Sequence, residues 1–173
     1  QRSERLLLES LLHSPAVHAD ETKVNIRGIS HYAWVLTDGK HVVFKLSDTR
    51  KIATIEPLLV GYGGVLVSDF YSGYDSLACR QQKCLVHLIR DLNDDLWKNP
   101  FNEDYESFVG TVRDLLVPIF EDVRRWGLKA RFLKKHMKAV NRFYDKVIEV
   151  AECRSELVEK YRKRFARYRE SLF

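Results

Sequence analysis

The feature that most constrains this chain is a change of period at Asn99-Pro100. Before that point the apolar residues fall in short β-branched and aromatic runs separated by glycine-bearing turns; after it they recur every three or four residues without interruption. A chain patterned this way has to build a sheet first and helices second. At 173 residues it has length for one good core, or for one domain with a sizeable appendage.

Residues 2–12 read as a short helix with Leu7, Leu8, Leu11 and Leu12 on one side, stopped near Ser14-Pro15. Strand-like runs follow at 16–20, 26–36 and 41–46, the last two joined across Asp38-Gly39, a strong hairpin signal. Asp48 and Thr49 offer caps for a helix through Ile52, Ile55, Leu58 and Leu59, ended by Gly61, Gly63 and Gly64. Val65-Leu66-Val67 is wholly apolar, as expected of a strand buried on both faces, and it leads to Asp69. A helical turn at 74–78, a strand at 83–87 and a helix from Leu88 to about Trp97 complete the front part. Three antiparallel strands, then helix, strand, helix, strand, helix, is the order of an RNase H-like α/β fold with a mixed five-stranded sheet.

Beyond Pro100 three helices are expected. One runs through Phe108, Val112, Leu115, Leu116, Ile119 and Trp126 to Gly127, with a kink or break at Pro118; a second runs from Phe132 to Ile148; a third carries Leu157, Tyr161, Phe165, Tyr168 and Leu172. The organisation expected is a lead-in helix over 1–15, an RNase H-like region over 16–100 and an all-helical region over 101–173; the resemblance given below implies that the second is the first part of a catalytic core and the third an insertion.

Composition narrows the function classes. A hydrophobic share of 45% argues against a disordered chain, and no apolar run approaches the roughly 20 residues that cross a bilayer. The start is not built as a secretory signal, so a cytoplasmic protein is expected. Cys79, Cys84 and Cys153 are odd in number and scattered, which suits reduced thiols better than a disulfide framework. The net charge of +5 hides a division: residues 1–120 carry 13 basic and 16 acidic groups, residues 121–173 carry 16 and 8. A basic segment beside one that concentrates aspartates suits a metal-dependent enzyme acting on a polyphosphate, although a solvated helical face is an equal alternative.

Asp20 and Asp69 stand out by position, 49 residues apart and each ending a strand. In an RNase H-like sheet those strands are neighbours, so the pair could hold two divalent cations for phosphoryl transfer. Hard oxygen ligands favour Mg²⁺ or Mn²⁺ over zinc. The alternative is an Asp that merely caps a loop.

Asp20-Glu21-Thr22, Val67-Ser68-Asp69-Phe70-Tyr71-Ser72-Gly73-Tyr74 and Cys84-Leu85-Val86-His87-Leu88-Ile89-Arg90 together resemble the ordered landmarks of DDE transposases, most closely the insertion-sequence sixty-six group of bacterial elements. The resemblance runs from about Val17 to Phe173. It implies that Asp20 and Asp69 are the first two catalytic carboxylates. It also implies a helical insertion before a third, a Glu expected downstream of Phe173, so that this piece alone would be inactive. It further implies two Mg²⁺ or Mn²⁺ ions, DNA partners at transposon ends and target, action on nucleoid DNA, and a homo-oligomer.

The remaining candidates carry alternatives. Cys84 and His87 are too few for a convincing zinc site, and Cys153 is too isolated to complete one; a buried Cys on the fifth strand and a His positioning substrate or carboxylate are expected, with a plain core role equally open. Tyr71 and Tyr74 could stack on a base, but packing beneath the catalytic loop is favoured. Glu21 points away from Asp20 along a strand and reads as support. Arg90, Lys134, Lys135, Lys138, Arg162 and Lys163 are candidates for phosphate contacts. Two rival functions are another RNase H-like nuclease or resolvase, separable by reaction products, and a non-catalytic DNA-binding or assembly module.

Overall fold

A computed structural model of the chain describes residues 2–149 and 155–173. They form two compact units, 1–87 and 88–173.

In the first unit, helix α1 (Arg2–Leu12) leads into β1 (Ala16–Ile26), β2 (Ile29–Thr37), β3 (Val42–Ser47), β4 (Val65–Ser68) and β5 (Arg80–Lys83). The strands lie in the order β3-β2-β1-β4-β5. β1, β2 and β3 are an antiparallel meander, while β4 runs parallel to β1 and β5 parallel to β4. This is the RNase H-like sheet, and it makes β1 and β4 central neighbours. Alternation sorts the side chains: Val17 and Ala19, Trp34 and Leu36, Val43 and Leu66 enter one core with Leu11, Ile55, Leu59, Tyr62 and Tyr74. His18 and Asp20 of β1 and Phe44 of β3 lie on the other face and are exposed. Leu66 is fully buried, so truncation to Ala would cost about 2–5 kcal/mol.

Several elements differ from expectation for identifiable reasons. The run expected at 26–36 begins instead with the last residue of β1 and a two-residue hairpin turn at Arg27 (φ 52°) and Gly28 (φ 85°), with Asn25 Oδ1 accepting from Gly28 N at 2.8 Å, and β2 starts only at Ile29. Arg-Gly lacks the usual Asn or Asp signal, and β1 thereby extends to Ile26. The helix expected from Asp48 to Leu59 is instead two 3₁₀ turns, Ile52–Thr54 and Glu56–Leu58. Pro57 removes a donor and restrains Glu56, and the β-branched Ile52, Thr54 and Ile55 add little helix preference. The turn expected at 74–78 is a 3₁₀ segment at Ser72–Ser76. The fifth strand is Arg80–Lys83 rather than 83–87: it sits at the sheet edge, where a polar strand is tolerated, and hydrophobic patterning alone passes over it. Cys84 therefore follows the strand instead of lying on it, and His87 falls in the first turn of helix α2 (Leu85–Lys98).

The second unit is helical, and among the described residues no strand follows Lys83. Helix α3 (Glu103–Trp126) starts where Asn102 Oδ1 accepts from Tyr105 N at 3.0 Å and ends at Gly127 with φ 72°. It passes through Pro118 without a break, because that residue lies on the exposed side, where solvent can satisfy the carbonyl that loses its partner. The expected second helix is divided into α4 (Ala130–Leu133), a 3₁₀ turn, α5 (Met137–Phe143) and a π-turn at Tyr144–Ile148. Helices α6 (Glu156–Arg167) and α7 (Arg169–Leu172) follow. The core is aromatic: Tyr105, Phe108, Phe143, Tyr144, Tyr161 and Phe165 pack with ring centroids 5.1–6.5 Å apart. Each buried phenol keeps a hydrogen bond, Tyr105 to Leu92 O (3.0 Å), Tyr144 to Phe165 O (3.1 Å) and Tyr161 to Asp95 (2.8 Å). Burial pushes the Tyr105 and Tyr144 hydroxyls up to about 12.

Candidate active site on β1 and after β4

The parallel register pairs Ala16 with Val65, Val17 with Leu66 and His18 with Val67. Asp20 and Asp69 each lie two residues past the last pair, so the same register carried forward would bring them level, Asp20 within β1 and Asp69 just beyond β4. Asp20 is largely exposed, with 60% of its side chain accessible; Asp69 has 23%. Asp20 Oδ1 accepts from Glu21 N at 2.9 Å and its Oδ2 lies 3.9 Å from His87 Nε2. Asp69 Oδ1 accepts from Tyr71 N at 2.9 Å, which turns the chain sharply after β4, and its Oδ2 faces an Arg50 nitrogen at 3.9 Å.

Beneath the two aspartates lies a network centred on Glu21, only 1% exposed as a side chain. Alternation along β1 sends Glu21 inward where Asp20 goes outward. One Glu21 oxygen takes the Arg50 guanidinium, with Arg50 Nε at 2.6 Å, and the other accepts from Tyr74 hydroxyl at 2.5 Å. Burial first, and then the hydrogen bond to Glu21, push the Tyr74 hydroxyl far above its ordinary range; Asp69 and Asp20 act electrostatically in the same direction. Tyr74 therefore stays a donor. Tyr71 donates to Arg50 O at 2.6 Å and lies under the guanidinium, 4.2 Å from its ring centre. A buried Lys83 ties down the loop after Asp69, with Nζ 2.9 Å from Asp75 and 3.5 Å from Ser68 Oγ.

Tyr71 and Tyr74 thus pack and donate hydrogen bonds beneath the loop; Tyr74 is fully buried and presents no face to a base. Cys84 is half-buried and its backbone N donates to Ser68 O at 2.7 Å. His87 Nδ1 is enclosed without a hydrogen-bond partner among the described residues. Cys153 lies outside the described residues. Nothing in the sequence marks Arg50, since a single Arg in a loop carries no signal; Glu21 was legible as the inward neighbour of Asp20.

The basic candidates separate. Lys134, Lys138 and Arg90 are exposed. Lys135 is bound to Asp122 at 2.7 Å, and Lys163 is 78% exposed beside Glu159. Arg162, expected on a solvent-facing basic surface, is instead buried at 9%, with Nε and a terminal nitrogen both donating to Ile148 O at 3.0 and 2.8 Å. An exposed basic surface is the elbow from Arg124 to Arg142, where eight Lys and Arg occur without one Asp or Glu. There Trp126 stacks on Phe132 at 4.9 Å, with Arg125 and Arg131 lying over the two rings.

A sheet of this order, with one aspartate within β1 and another just beyond β4, defines an RNase H-like domain. The chain belongs to the Transposase IS66 family, whose model matches residues 1–166. Among solved structures, a chain of a simian T-cell lymphotropic virus intasome, in complex with PP2A regulatory subunit B56 gamma, is similar at 15% identity and a TM-score of 0.33. The match covers 52% of this chain and 45% of that one, so this chain spans under half of that relative's length. No curated protein sequence matches.

Proposed function

We propose that this chain carries the first two metal-binding carboxylates of a DNA transposase, Asp20 and Asp69. The observation that supports this best is the parallel β1–β4 register, which ends two residues before Asp20 and Asp69 on the two segments, in a chain of a transposase family. Two like charges on neighbouring segments repel, and a divalent cation between them relieves that repulsion. The donors suit Mg²⁺ or Mn²⁺ in kind, being carboxylate oxygens. They are few in number: among the described residues no group of three or more His, Cys, Asp or Glu is placed to hold a metal. A third ligand is therefore expected from elsewhere in the intact protein. Two bound ions would supply Lewis acidity to the attacking and leaving oxygens of a phosphodiester.

The chain's own residues have distinct tasks. Asp20 is exposed, accepts from Glu21 N and lies 3.9 Å from His87, which leaves it room to turn towards a cation. Asp69 is held more firmly by Tyr71 N. His87, 3.9 Å from Asp20, sits where it could orient that carboxylate or meet a DNA phosphate. The exposed Arg124–Arg142 elbow neutralises phosphates without reading bases. Among the described residues no helix is long and apolar enough to cross a membrane.

The test is strand transfer by the intact transposase carrying Asp20→Asn or Asp69→Asn. Loss of joined products with retained folding and DNA binding is expected from each. Nicked but unjoined DNA from the unsubstituted protein would point to a nuclease instead.

A further inference from the structure

Arg50 reaches towards both buried Glu21 and Asp69, yet hydrogen-bonds to only one of them. Its Nε and one terminal nitrogen are engaged by Glu21, its backbone oxygen is held by Tyr71 hydroxyl, and its plane rests on the Tyr71 ring. The same terminal nitrogen stops 3.9 Å from Asp69 Oδ2, too far for a hydrogen bond and near enough for strong attraction. Glu21 has no slack to move with it, since Tyr74 hydroxyl occupies its other oxygen and its side chain is 1% exposed. The Arg50 side chain is 44% exposed, so it has room to lean.

We propose that Arg50 is a tethered positive charge that competes with a divalent cation for Asp69, and that Glu21 is the positioning residue that sets how far it reaches. The proposal rests on Asp69 being a metal ligand. With Glu21 in place, Arg50 pairs with Asp69 at 3.9 Å without hydrogen-bonding to it, so the carboxylate stays open to a cation that must be strong enough to tolerate the guanidinium. The device lowers affinity and keeps the two aspartates from repelling each other when no cation is bound.

Mn²⁺ binding to the chain, followed by paramagnetic relaxation of nearby signals, tests it. Arg50→Gln should tighten Mn²⁺ binding roughly tenfold, the order expected for removing one cation at this distance in a partly hydrated site. Arg50→Lys, which keeps the charge, should return affinity towards that of the unsubstituted chain. A residue that only supports the fold would weaken binding in both variants. Should Arg50→Gln fail to fold, the unsubstituted chain decides: on titration with diamagnetic Mg²⁺ the Arg50 Nε–H resonance should shift with the midpoint of binding, and should not shift in Asp69→Asn. Metal binding that needs Asp69 but is unchanged or weakened in Arg50→Gln, or an Arg50 resonance indifferent to Mg²⁺, overturns the competition and leaves the metal site standing. Equal Mn²⁺ binding by Asp69→Asn and the unsubstituted chain removes both.

Discussion

Tyr74 hydroxyl donates to Glu21 across 2.5 Å in a pocket where Tyr74 is fully buried and Glu21 almost so. The phenol meets Trp34 edge-on at 6.1 Å and Tyr71 at 5.9 Å, so the core and the loop after Asp69 share one residue. Removing the hydroxyl leaves a buried carboxylate with one donor fewer. Tyr74→Phe should destabilise the first unit by about 1–3 kcal/mol, read from urea unfolding monitored by Trp34 fluorescence. An unchanged midpoint would mean that water replaces the hydroxyl at no cost.

The β1–β2 turn makes a separate stability prediction. Gly28 has φ 85° with open space around its Cα, so an added methyl group meets no atom but is forced into a left-handed backbone. Gly28→Ala should cost about 1 kcal/mol, while Arg27→Asn, at φ 52°, should be neutral or stabilising. Thermal unfolding of the two variants checks the order.

Asp38 anchors the second hairpin to the end of α1. It accepts from Ser14 hydroxyl at 2.6 Å, from His41 and Lys40 backbone N–H groups, and lies 3.1 Å from the His41 ring. These contacts, Ser14 first, hold its carboxyl well below the usual carboxylate range. A depressed folded-state value gives stability that is present above the unfolded value near 3.9 and lost as pH falls through the folded one. Chemical unfolding from pH 5 downwards should show this acid loss in the unsubstituted chain and a flatter profile in Asp38→Asn.

For DNA, replacing Arg124, Arg131, Lys134 and Lys138 by Ala should weaken binding to any duplex and reduce the slope of log affinity against log salt by up to about 4, close to one for each phosphate that is no longer neutralised. Arg162→Ala should act differently, lowering thermal stability by removing the two bonds to Ile148 O while leaving the salt slope unchanged.

Much of the sheet was legible because it obeys period 2: the meander, the Asp38-Gly39 hairpin and the apolar Val65–Val67 strand all lie near their expected places. Elements set by tertiary context were not. β5 is polar because it is an edge, the Ile52–Leu58 segment is 3₁₀ because of Pro57, and Arg162 is buried because its guanidinium closes over a carbonyl at the π-turn. In the candidate site, Asp69 does follow the end of its strand, but Asp20, expected to end the first strand, lies inside β1 because that strand runs on to Ile26; the Arg50–Glu21–Tyr74 network depends on residues 29 and 53 positions apart, which no local pattern connects.

The central claim is that Asp20 and Asp69 share a divalent cation, and Mn²⁺ titration with relaxation of backbone signals tests it most directly. Weak, saturable broadening centred on Glu21, Phe70 and Tyr71 is expected, abolished by Asp20→Asn and by Asp69→Asn with the rest of the spectrum intact. Undiminished broadening in both variants, or broadening centred elsewhere, would contradict it.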